Sequence, residues 1–79
     1  RETRARAELL RAAFAALTPR EKAVFDRVVA GQLNKQIAEA LGIAERTVKL
    51  QHAQLMTKLG AGSAAELGRL AERLQHLPD

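Results

Sequence analysis

The chain has 79 residues, no cysteine, two phenylalanines, neither tryptophan nor tyrosine, and 47% hydrophobic residues that are mostly Ala and Leu. That length gives one domain near the lower limit for a core that folds unaided, with no disulfide or thiolate-bound zinc to help it. A net charge of +4 favours an anionic partner, nucleic acid first.

No apolar run reaches the ~20 residues of a membrane span, and the N-terminal RETRARAELL is too charged for a secretory signal. A cytoplasmic protein is expected. No stretch shows the alternating β-branched pattern of strands, so an all-α fold is expected too.

Residues 2–16 hold Ala, Arg and Glu without a helix breaker. Leu10, Phe14 and Leu17 recur at i, i+4, i+7, one helical stripe that Arg4, Arg6 and Arg11 avoid. Such a helix packs on the rest of the chain or on a partner, or it is a linker solvated on most sides. Residues 1–16 are read as a linker helix ahead of a domain at 17–77.

LTPRE, residues 17–21, opens the next helix. Thr18 is the cap, Pro19 fits the first helical position, and Glu21 completes a capping box, with Leu17 packing just before it. Val24, Phe25, Val28 and Val29 form the apolar stripe, and Gly31 supplies a left-handed stop after Ala30. Asn34 caps a short helix over 35–41, whose Ile37, Ala38 and Leu41 point inward. Gly42 ends it, and another helix spans about 45–59 up to Gly60. Two helices joined through a glycine turn are the signature of a helix-turn-helix.

At 100° per residue, Val48, Leu55 and Leu59 form the core face of the 45–59 helix, flanked by His52 and Met56. Lys49, Leu50, Ala53, Gln54 and Thr57 fall opposite, with Arg46 and Thr47 at the N-terminal end. No acid occurs between Glu45 and Glu66. Ser63 and Glu66 form a second capping box, and Leu67, Leu70, Ala71 and Leu74 make the stripe of the last helix. Gly68 lies inside that helix, which either admits another backbone or tolerates the glycine on an open face. Pro78 sits at a helix edge, and residues 76–79 read as a frayed end.

Catalysis finds no support. His52 and His76 are the only histidines, and there is no His-x-x-x-His pair, carboxylate cluster or glycine-rich phosphate loop. Glu39 and Glu45 flank a turn and read as solvated. Neither a metal nor a cofactor is expected.

A helix of this width fits the major groove, where base edges carry a distinct donor, acceptor and methyl pattern. Helix-turn-helix proteins place the second helix of the pair there. Lys49 can donate to guanine or phosphate, Gln54 can reach adenine, and Leu50 and Ala53 can meet thymine methyls. Lys35, Asn34 and the free N–H groups of the shorter helix suit phosphate, as do Arg46, Thr47 and Lys58. Taken singly, each has a plain alternative: a solvated charge for Arg46, Lys49 and Lys58, a helix-start role for Thr47, a surface leucine for Leu50. The ensemble carries the reading.

The stretch from LTPRE through VAGQLNKQIAEALGI, then TVK followed by KLG and GSAAEL, resembles the C-terminal DNA-binding domain of LuxR/FixJ-type transcription regulators over roughly residues 17–74. The resemblance implies a four-helix domain behind a linker helix and sequence-specific binding to double-stranded promoter DNA. It also implies pairing of two copies, often through the last helix, here Leu67, Gly68, Leu70, Ala71 and Leu74. In that family the positions of Lys49 and Leu50 meet bases, Ala53 faces the groove, and Asn34, Lys35 and Thr47 lie near phosphate. A receiver domain with the phosphoacceptor aspartate would precede it, and RNA polymerase is a further candidate partner of a promoter-bound regulator.

Ala44 replaces the usual capping serine, Gln51 a frequent histidine, His52 a frequent arginine, and Gln54 a basic residue of some relatives. These departures make the helix less basic than in many relatives, which bears on affinity and target sequence. A sigma-factor region 4 domain shares the TPRE…IAEALGI pattern, and a helical protein-interaction module is an alternative of a different class.

Overall fold

The computed structural model describes residues 3–77, which form α1 (Arg4–Ala15), α2 (Pro19–Val29), α3 (Asn34–Leu41), α4 (Glu45–Leu59) and α5 (Ala64–Gln75), with no strand among them. The four-helix domain and the leading helix expected from the sequence are all present. Residues 76 and 77 follow α5, while Pro78 and the last residue of the expected frayed end lie outside the described residues.

Hydroxyl caps set three of the helix starts. Thr3 Oγ1 accepts the Arg6 N–H at 3.2 Å, and Thr18 Oγ1 accepts the Glu21 N–H at 3.1 Å. The Glu21 carboxylate returns to the Thr18 N–H at 2.8 Å, closing the expected box. Ser63 Oγ accepts the Glu66 N–H at 3.1 Å, but Glu66 Oε1 takes the Gly62 N–H at 3.1 Å rather than that of Ser63. The second half of that box therefore closes one residue earlier than expected.

The start of α3 differs from the sequence reading by one residue. Asn34 is its first residue, not its cap. Leu33 holds the extended cap conformation and its carbonyl accepts the Ile37 N–H at 3.0 Å. Leucine has no side-chain acceptor, so only the reciprocal bond forms: Gln36 Oε1 accepts the Leu33 N–H at 2.7 Å.

Gly31 stops α2 at φ +87°. The Gly31 N–H reaches the Val28 carbonyl at 3.0 Å and the Gln32 N–H the Arg27 carbonyl at 3.1 Å. These are the two bonds of a Schellman stop, and its left-handed residue is inexpensive only for glycine.

Leu17, Val24, Phe25, Ile37, Ala38, Val48, Leu55, Leu59 and Leu67 make one buried cluster drawn from every helix after α1 and from the α1–α2 connection. α4 lies at its centre, packed on α2 and α3, with α1 and α5 also touching the bundle. The leading helix is not a solvated linker. Its Ala7 and Leu10 are buried and Phe14 packs on the cluster. The Phe14 and Phe25 rings meet edge to face, with centroids 5.1 Å apart, and the Lys22 ammonium stands 5.5 Å over Phe14. In α2, Val24 and Phe25 are buried as expected, whereas Val29 is mostly outside the core at 38% exposure.

Candidate nucleic-acid interface

The core face of α4 fixes how the helix is rolled, and thereby what its other face shows to solvent. Val48, Leu55 and Leu59 are buried, with Met56 and His52 beside them at intermediate exposure. Arg46, Lys49, Leu50, Ala53, Gln54 and Thr57 are exposed on the opposite side. Leu50 keeps 56% of its surface in water, beside Lys49 and Ala53 on that outward side. The Thr57 hydroxyl donates back to the Ala53 carbonyl at 3.1 Å, which occupies its proton within the helix.

The departures noted in the sequence sort by this geometry. Gln51 and His52 are half-buried, and Gln51 Oε1 and His52 Nε2 are buried with no hydrogen-bond partner among the described residues. They belong to the packing of α4. Of the substituted positions in α4, Gln54 alone lies on the exposed face.

The two helices of the turn motif start differently from the other three. Neither Leu33 before α3 nor Ala44 before α4 offers a side-chain acceptor to the first turn. Helix starts leave backbone N–H groups unsatisfied and carry partial positive charge, which suits phosphate oxygens. Asn34, half-buried, and Lys35, exposed, stand at the α3 start, and half-buried Thr47 with exposed Arg46 stands at the α4 start. Gly42 at φ +67° turns the chain between them, with the Ile43 N–H on the Ala38 carbonyl at 3.0 Å.

Lys58 is placed differently. Its ammonium lies 2.8 Å from Glu21 Oε1, and the Glu21 side chain is only 2% exposed. The Lys58 hydrogen bond is the foremost cause that holds the Glu21 carboxyl below the usual glutamate range; the Thr18 N–H adds to it and burial opposes it. A cleft of about 470 Å³ opens beside this pair, lined by Thr18, Glu21, Gln51, Ala53, Gln54, Thr57 and Lys58. The pair was missed in the sequence although half of its signal is there. Glu21 precedes Val24, Phe25 and Val28 by three, four and seven residues, so it shares their stripe.

The stripe of α5 serves its own domain first. Leu67 is fully buried, and Leu70, Ala71 and Leu74 pack against the central cluster while staying partly open. A methyl group built on Gly68 would meet nothing within 4 Å, so none of the described residues uses the glycine for close approach.

Comparison with known proteins identifies the fold and the family. Residues 15–71 match the family model of the bacterial regulatory proteins of the luxR family. The chain is 46% identical over 65 residues to nodulation protein W of Bradyrhizobium diazoefficiens, covering 82% of this chain and 29% of that protein. It is 42% identical over 73 residues to the transcriptional regulatory protein FixJ of the same organism, covering 92% of this chain and 36% of that protein. Among solved structures, full-length FixJ from B. japonicum superposes with a TM-score of 0.80 at 42% identity, covering 91% of this chain and 36% of that one. The response regulator StyR superposes with a TM-score of 0.81 at 44% identity, covering 84% of this chain and 33% of that one. The chain thus spans about a third of the length of these relatives. These matches set aside the sigma-factor and protein-interaction alternatives: the chain belongs to the luxR family of bacterial regulatory proteins, whose helix-turn-helix DNA-binding domain it forms, and it is a transcription regulator's domain rather than an enzyme.

Proposed function

We propose that this domain inserts α4 into the major groove of promoter DNA, with Lys49, Leu50, Ala53 and Gln54 toward the base edges. Asn34, Lys35, Arg46 and Thr47 lie along the phosphates. The observation that carries the reading is the exposed Lys49–Leu50–Ala53 patch on the side of α4 opposite its core face. A lysine with two apolar neighbours suits donor and methyl recognition in a groove, and the starts of α3 and α4, whose cap residues carry no side-chain acceptor, suit the flanking phosphates. Lys58 is left out of the phosphate set because its charge is already paired with Glu21.

The printed descriptions of the relatives, a transcriptional regulatory protein and a response regulator, support a wider role. In it an upstream receiver domain controls the DNA-binding domain in the cytoplasm, residues 1–16 join the two, and RNA polymerase is a partner at the promoter. Two copies pair on DNA through the partly open edge of α5, at Gly68, Leu70, Ala71 and Leu74, with Leu67 supporting them from the core.

A salt series with duplex DNA tests the binding mode. Affinity is expected to fall by ~0.9 log units per log of salt for each phosphate neutralised. Lys35→Ala is expected to weaken all sequences alike and to flatten the slope by about one phosphate. Salt-insensitive binding, or a Lys35→Ala slope equal to the parent's, would rule out this docking.

A further inference from the structure

A carboxylate taken out of water stays charged only with a cation and donors at hand. Glu21 has both: the Thr18 N–H at 2.8 Å and the Lys58 ammonium at 2.8 Å. The two ends of this pair differ in depth. Glu21 is 2% exposed, whereas the Lys58 side chain is 41% exposed, on the rim of a cleft that also takes in Ala53, Gln54 and Thr57. An ammonium therefore stands at the edge of the outward face of α4 with its charge cancelled from behind.

Cations that neutralise phosphates strengthen binding to every sequence, because the phosphate backbone carries no base information. Discrimination comes from base-edge contacts and from the shape and deformability of the DNA. A lysine withheld from the backbone thus lowers non-specific affinity and leaves base reading untouched. We propose that Glu21 is a specificity-determining residue of this domain: it holds Lys58 as a neutral pair and keeps that cation out of the phosphate contacts. The proposal rests on the DNA-binding reading given above.

The test uses the 79-residue chain and a fluorescent duplex of arbitrary mixed sequence, with affinity followed through a potassium chloride series. In Glu21→Gln the amide oxygen still accepts the Thr18 N–H, and Lys58 is released to solvent. Its log–log salt slope is expected to steepen by ~0.9, an extra loss of about eightfold in affinity per tenfold rise in salt. At low salt the variant binds the duplex more tightly than the parent. The double variant Glu21→Gln/Lys58→Met replaces one neutral pair by another and is expected to keep the parent slope.

An unchanged slope in Glu21→Gln would overturn the proposal. A double-variant slope shallower than the parent's by ~0.9 would also overturn it, because Lys58 would then be a phosphate contact already. Should Glu21→Gln fail to fold by circular dichroism, Glu21→Ala, which also frees Lys58, is measured in its place with the same two outcomes. A parent that fails to bind the duplex would sink the DNA-binding reading itself, which a parent that binds with unaltered variant slopes would not.

Discussion

Glu21 and Leu50 invert the usual distribution of polar and apolar side chains, one charged and buried, the other apolar and exposed. Both positions were legible as faces. Helical spacing puts Glu21 on the stripe of Val24, Phe25 and Val28, and the wheel of α4 puts Leu50 opposite Val48. What spacing does not give is a partner far away in the chain. Lys58 lies 37 residues from Glu21, and only the packing of α4 on α2 joins them. The pair has a consequence for acid stability. The carboxyl of Glu21 titrates below its unfolded value, so its contribution is fully present above the ordinary glutamate pKa of about 4.3. That contribution is lost as the pH falls through that value and on through the folded one. The melting temperature of the parent is expected to drop between about pH 6 and pH 3, and that of Glu21→Gln to drop less. An equal drop in both would show that the pair is not coupled to folding.

Element boundaries followed the glycines and hydroxyls closely. Gly31, Gly42 and Gly60 adopt the left-handed conformation at the ends of α2, α3 and α4, and Thr18 and Ser63 cap where the motifs place them. The two misses, Asn34 and the second half of the Ser63–Glu66 box, are each a shift of one residue. Glu66 reaches the Gly62 N–H one residue before the cap, and at α3 the extended conformation falls on Leu33, one residue before Asn34. Gly68 is different, since it is an interior helical residue with open space where its side chain would be. Gly68→Ala is expected to stabilise the isolated domain by ~0.5–1 kcal/mol in chemical denaturation, through helix propensity alone. If the parent gains stability as protein concentration rises and the variant does not, a second copy packs at Gly68, the outcome expected of pairing through α5.

At the scale of the whole molecule, α1 was the least legible part. Its alanines carry little hydrophobic signal, yet Ala7 is fully buried because α1 packs close against α4 and α5. The leading helix is thus part of the body that holds α4 in place. Under the proposed function, a receiver domain joined through α1 would act on a helix that already contacts α4. The net charge of +4 says which kind of partner the domain favours, while the roll of α4 on its core decides which residues meet that partner.

That roll is tested most directly by selecting a bound sequence from a random DNA pool, then comparing the parent with Lys49→Ala on the selected site and on a scrambled duplex. With Lys49 on a base, the variant is expected to lose ~1–3 kcal/mol on the selected site and much less on the scrambled one, so that the ratio of the two affinities falls. A ratio unchanged by Lys49→Ala would contradict a major-groove role for the outward face of α4.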